Sequence, residues 1–218
     1  MKLYYIVVLA IALSACSQKS NINDYIESRP IDRTFLSLVK TIKEKSGKSV
    51  CLNPPATSQE ISKAEDAVGQ TFPEEIKIIY KLANGQKDGP NCAPIFLEGY
   101  SFLPLKHVIE QWSIMQQLSN GDPDFSTLYD IHGAVHGYGW MPKWIPIGYH
   151  ISGDLVCLDY DPTALGRKGQ IIEFIHDDTN RNHLAIDFNA YLGYIEKNLV
   201  AGKFIYRENW GVITKHKD

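Results

Sequence analysis

The side chains whose types and spacing could do chemistry are histidines, thiols and carboxylates. His132-Gly133-Ala134-Val135-His136 places two imidazoles four residues apart, and His150 and His176 follow downstream. Two such rings hold a divalent metal when both project from one helical turn. Gly133, Gly137 and Gly139 work against a helix there, and Ala134 and Val135 stand where a zinc hydrolase would carry its general base. Loop histidines without a metal are the simpler reading. Cys157 lies between Val156 and Leu158, and an apolar setting raises a thiol's pKa and silences it as a nucleophile. No G-x-S-x-G elbow occurs, and Gly137-Tyr138-Gly139 lacks the strand-then-helix setting of a phosphate loop. Asp154 and Asp161 suit turns, Asp159 suits a strand end, and Glu173 alternates with Ile172 and Phe174 as on a half-exposed strand. The expectation is a protein that is not an enzyme, with no catalytic residues, no metal and no cofactor.

The elements that position these residues can be read from periodicity. Phe35, Leu38, Val39 and Ile42 share one helical face after Asp32, and Gly47 closes that helix. Thr57-Ser58-Gln59-Glu60 has the form of a capping box, with Ile61, Ala64 and Val68 on the face behind it. Pro73-Glu74-Glu75 opens a third helix, striped by Ile76, Ile79, Tyr80 and Ala83 and stopped by Asn84-Gly85. Ile95 to Leu103 alternates like a strand, and Pro104 begins a helix carrying Leu105, Val108, Ile109, Trp112 and Met115. Residues 130–138 are glycine-rich and irregular. They lead into two apolar strands, with Ile145, Ile147 and Tyr149 before the Ser152-Gly153-Asp154 turn and Leu155, Val156, Leu158 and Tyr160 after it. Gln170–Phe174 and His183–Ile186 continue as strands, and Asp187 caps a last helix with Tyr191, Leu192, Ile195 and Leu199 on one face. Clustered strands with helices before and after predict an α+β fold, an antiparallel sheet covered by helices on one side.

The N-terminus carries an address. Met1-Lys2 is a minimal positive region, and Leu3–Leu13 is an apolar run too short to span a bilayer comfortably but suited to a signal peptide. It abuts Leu13-Ser14-Ala15-Cys16, which resembles the lipobox of bacterial lipoproteins and predicts cleavage before Cys16 and acylation of its sulfur. Ser17 resembles the residues that permit transport to the outer membrane, so the expected location is that membrane's periplasmic face. Residues 1–15 are thus a signal peptide, 16–31 a tether, 32–205 one domain and 206–218 a C-terminal tail. Cys51, Cys92 and Cys157 would then meet an oxidising compartment. Cys51 and Cys92 lie in loop-like, proline-flanked sequence, so they are the expected disulfide, with Cys157 a buried thiol. A net charge of -3 gives no basic surplus and argues against nucleic acid. The 12 tyrosines and 4 tryptophans suit a protein that meets another protein.

An ordered set of motifs resembles the SUKH superfamily, the domain of the fungal cell-wall-synthesis regulator and its bacterial relatives. Ser58-Gln59-Glu60-Ile61 through Val68 resembles its first helix motif, and Phe72-Pro73-Glu74-Glu75 through Leu82-Ala83-Asn84-Gly85 its Asn-Gly helix. Trp144-Ile145-Pro146-Ile147-Gly148, Gly153-Asp154, Cys157-Leu158-Asp159 and Pro162 resemble its core, and residues 119–139 stand as an insertion. The resemblance covers about residues 57–200. It implies a SUKH-like single domain with a twisted antiparallel sheet and no enzymatic role. It also implies, for a bacterial lipoprotein member, an immunity protein that binds and neutralises a toxin. The alternative is an envelope or cell-wall-assembly scaffold. Tyr138, Trp140, Tyr149 and Asp154 are the candidate partner-binding residues, chosen because aromatic anchors dominate protein interfaces.

Overall fold

A computed structural model describes residues 29–87, 89–121, 123–126, 133–179 and 181–215. Local sequence sets the helices. Helix α1 (Ile31–Ser46) ends on Gly47 in the left-handed conformation. In α2 (Ser58–Val68) the Thr57 hydroxyl accepts from the Glu60 N–H while the Glu60 carboxylate accepts from the Thr57 N–H. Helix α3 (Glu74–Leu82) starts behind Pro73 with two carboxylates in its first turn. Then come β1 (Ser101–Phe102), α4 (Leu105–Gly121), the short α5 (Pro123–Ser126), β2 (Trp144–Tyr149), β3 (Leu155–Asp159), β4 (Gln170–Phe174) and β5 (Arg181–Ala185). Helix α6 (Phe188–Val200) is capped by Asp187, whose carboxylate accepts from the Ala190 N–H. Strands β6 (Phe204–Arg207) and β7 (Gly211–Thr214) close the described chain. No helix among the described residues is long and apolar enough to cross a membrane.

The five strands β1 to β5 pair antiparallel in chain order, as the α+β reading requires. Alternation sends Ile145, Ile147, Val156, Leu158 and Ile171 to one face, where they share one buried cluster with the apolar stripes of α1, α3 and α6. Phe102 is the hub of that side, with ring centroids at 4.9 Å from Tyr80, 5.8 Å from Phe96, 6.2 Å from Phe188 and 6.4 Å from Phe35. Three helices and one loop thus meet on one ring.

Two sequence expectations need correction. The sheet is covered on both faces, not one: Trp144, Leu155, Cys157, Ile172 and Phe174 form a second buried cluster with Met115, Val135 and Trp140. The cover is the far half of α4 and the irregular segment before β2, which has no periodicity to announce it. Residues 206–214 are not a tail. The boundary at 205 falls inside β6, and the β6–β7 hairpin docks through the Glu98 N–H, which donates to the Val212 carbonyl at 2.8 Å. The Ile95–Leu103 stretch is extended as a ladder only at β1. Its remainder is fixed by the buried Gln86 side chain, whose amide donates to Val50 and Ala93 carbonyls and accepts from the Ile95 and Phe102 N–H groups. Cys51 and Cys92 form the expected disulfide, with Cα atoms 5.3 Å apart, and Cys157 is a buried free thiol.

Candidate partner-binding surface

The loop cover is held by two polar hubs. In the first, the buried Asp159 carboxylate accepts from the Gln170 amide and the Asp161 N–H, both at 2.9 Å, and the same Gln170 amide donates to the Ala134 carbonyl. Burial raises the Asp159 carboxyl above its ordinary range, and these hydrogen bonds pull it back. In the second, the Arg181 guanidinium donates to the Tyr138, Gly139, Ile175 and Asp178 carbonyls and lies 4.5 Å from the Phe174 ring centre. Such a fork satisfies several buried carbonyls with one side chain. Between the hubs, Trp140 stands edge-on to Trp144 and Phe174, with centroids 5.8 and 5.4 Å away.

The end of the sheet where β2 turns into β3 carries the charged groups. Asp154 Oδ1 accepts from the His176 N–H and lies 2.8 Å from His176 Nδ1, while Oδ2 accepts from the Ser152 hydroxyl at 2.5 Å. Partial burial pushes the Asp154 carboxyl up, but the bonds from Ser152 and His176 outweigh it and leave the group below its ordinary value. The bond to Asp154 raises the His176 imidazole above its own ordinary value. Ligand-capable atoms of Asp154, His176 and Asp177 lie within 4.8 Å of one another, so these are the described residues that could share a metal ion. Two of the three, Asp154 and His176, already pair with each other. His136 sits beside Tyr138, with ring centroids 5.9 Å apart, and His132 lies outside the described residues, as does Cys16.

The four residues chosen as partner anchors do not share one patch. Trp140 is 2% exposed and belongs to the interior, because its indole seals the second face of the sheet. Tyr138 is half-buried against the same cluster. Tyr149 lines a recess of about 260 Å³ with Pro104, His107 and Gln111. Asp154 lines a different cleft, of about 180 Å³, with Glu98, Tyr100, His150, Glu173 and Trp210.

The sequence profile of the SMI1 / KNR4 family (SUKH-1) matches residues 55–193, well over half of the chain. The chain belongs to that family. It is similar to the cell wall biosynthesis/cell cycle regulator smi1 of Schizosaccharomyces pombe, 21% identical over 166 residues that cover 71% of this chain and 33% of that protein. It is also similar to the cell wall assembly regulator SMI1 of Saccharomyces cerevisiae, 22% identical over 200 residues covering 77% of this chain and 38% of that protein. The chain therefore spans about a third of the length of these curated relatives.

The SUKH-1 motifs now have physical reasons. Asn84-Gly85 is a joint: the Asn84 side chain accepts from the Leu105 N–H, and a Cβ on Gly85 would meet Pro104 N at 2.3 Å. The Tyr80 hydroxyl reaches the same crossing and donates to the Leu103 carbonyl. Gly148 follows a bulge in β2, and a Cβ there would lie 2.8 Å from the Phe96 ring. These are scaffold positions. The surface residues that sequence reasoning missed, Glu98 and Trp210, come from loops remote in the chain and are joined only by the docked β6–β7 hairpin. The one signal in the sequence was an aromatic beside Glu208-Asn209, and Trp210 proves to be 63% exposed.

Proposed function

We propose that this SUKH-1 protein is a toxin-neutralising immunity protein, anchored by lipid at Cys16 and acting by protein–protein binding without catalysis. The observation that carries the reading is the union in one chain of a SUKH-1 domain and the Leu13-Ser14-Ala15-Cys16 motif. A family of protein-binding domains supplies the scaffold, and acylation adds about 0.8 kcal/mol per buried methylene, so several chains hold it durably at a membrane. The Cys51–Cys92 disulfide supports the same address, since such bonds persist in oxidising compartments such as the periplasm. Neutralisation asks only for an interface of ordinary size, and the turn end of the sheet offers exposed Ile151 and Trp210 beside the charged groups of Asp154 and His176.

The test is co-expression. Cells carrying a toxin gene found beside this one should survive only when the protein is present, and Cys16→Ser should move it from the membrane to the soluble fraction. Survival that never depends on the protein, across every neighbouring candidate toxin, rejects the immunity reading. A second reading, a cell-wall-assembly scaffold, is favoured by the names of both fungal relatives. It expects altered cell shape or wall-antibiotic sensitivity on deletion in the absence of any toxin.

A further inference from the structure

Three loops that are far apart in sequence meet at one end of the sheet. The Glu98-Gly99 turn is held against the β6–β7 hairpin: Gly99 approaches so closely that a Cβ would lie 3.2 Å from the Trp210 carbonyl and 3.5 Å from the His150 ring. Glu98 is kept there in the left-handed region, at φ 54°, a conformation a glutamate adopts only when its surroundings impose it. Trp210, 63% exposed, stands at one wall of the resulting cleft, and Tyr100 and Ile175 are among the other lining side chains. Among the described residues its lining holds three carboxylates, those of Glu98, Asp154 and Glu173, with the His150 imidazole and no lysine or arginine; Asp154 is paired with His176. Glu173 also accepts from the Tyr100 hydroxyl at 2.8 Å and from the Asn182 amide, so its oxygens are fixed in place. Burial and the fields of Glu173 and Asp154 push the Tyr100 phenol up, so the negative potential is felt at the cleft wall. Ile151, next in the chain to His150, is 89% exposed.

We propose that this cleft receives an arginine side chain of the protein partner. Charge complementarity selects a cation. A flat exposed indole beside oriented carboxylates selects guanidinium over ammonium, because guanidinium stacks on an aromatic face while its edge forms paired bonds to carboxylate. The volume of about 180 Å³ admits one side chain rather than a secondary-structure element. Trp210 then acts as the aromatic anchor of the interface, with Glu98 and Glu173 as the acceptors that read the cation. The inference rests on the protein-binding reading above and names the chemistry of that partner.

The experiment titrates the purified protein with acetyl-arginine-amide and follows the Trp210 indole N–H by NMR. Acetyl-citrulline-amide, of the same shape without charge, and acetyl-lysine-amide serve as controls. Arginine should shift the Trp210 signal saturably and leave the Trp140 and Trp144 indoles unmoved, with citrulline and lysine each at least about fivefold weaker. Glu98→Gln, at an exposed site, should weaken arginine binding by about fivefold, and Glu173→Gln by more. Equal shifts with arginine and citrulline, equal shifts with arginine and lysine, or no shift at Trp210 each overturn the proposal. The co-expression test is read separately. Arginine binding without rescue keeps the cleft and rejects the immunity reading, whereas rescue unaffected by both Trp210→Ala and Glu98→Gln, with no arginine binding, does the reverse.

Discussion

The two faces of the sheet are buried by different means. On the helix-packed face, the apolar stripes of α1, α3 and α6 share one buried cluster with Ile145, Ile147, Val156 and Leu158, and Phe102 joins four rings from separate parts of the chain. On the loop-covered face, an irregular segment and the far half of α4 lie over Trp144, Cys157 and Ile172. The helices satisfy their own backbone. The loop cannot, so its carbonyls are met by Arg181, by Gln170 and by Thr163, whose hydroxyl donates to Gly133. Apolar area holds the first face shut; the second depends on a few directional bonds placed over a smaller apolar cluster.

That contrast can be broken or sharpened by experiment. Phe102→Ala empties the centre of the helix-packed face and should cost about 4 kcal/mol, lowering the denaturation midpoint of the whole domain in one transition. Arg181→Leu leaves several carbonyls without a donor and should cost about 2–3 kcal/mol. Its signature differs: hydrogen exchange should quicken in residues 133–141 before any global loss of structure. If Arg181→Leu instead unfolds everything at once, the cover is no separate unit. Trp112→Phe removes the indole bond to the Pro142 carbonyl, 2.9 Å long, and should cost about 1 kcal/mol, mainly through the loop-covered side.

The smallest effect concerns the ion pair at the turn end. His176 is raised above its ordinary 6.5, so its protonated form is favoured by folding. Its contribution is full below the unfolded value and disappears as pH rises through the folded one. Asp154 is lowered below its ordinary 3.8, so its contribution is lost only as pH falls through that depressed value. His176→Ala should therefore lower the melting temperature slightly at pH 5 and make almost no difference at pH 8. An equal loss at both pH values would mean that packing, not charge, carries the effect.

The unequal legibility of the two faces has the same cause. Phe35, Leu38 and Ile42, or Ile76, Ile79 and Tyr80, repeat at helical spacing because a helix must present one side, and every one of them is buried. The capping box and the Asp187 cap were readable because their partners lie three residues away. The Cys51–Cys92 pairing was expected because both lie in loop-like, proline-flanked sequence while Cys157 lies in an apolar run. Trp140 was not readable as a core residue, because a glycine-flanked aromatic in a loop has the same sequence whether it points in or out. Its burial depends on Arg181, some forty residues later, holding the Gly139 carbonyl. The acidic cleft is less legible still: Glu98, Glu173 and Trp210 are neighbours only after the sheet has formed and the last hairpin has docked on it. Asp154, by contrast, was visible as a turn residue and proves to sit at the charged end of the sheet.

Cys157 gives the loop-covered face a built-in clock. It is the one free cysteine among the described residues, and its sulfur lies sealed beneath Val135 and Trp140 with a thiol that burial keeps protonated. A thiol reagent can reach it only while the cover is lifted, and then only as fast as the exposed sulfur ionises. The labelling rate of this single atom, compared with the rate of whole-domain unfolding, measures how often the second face opens by itself.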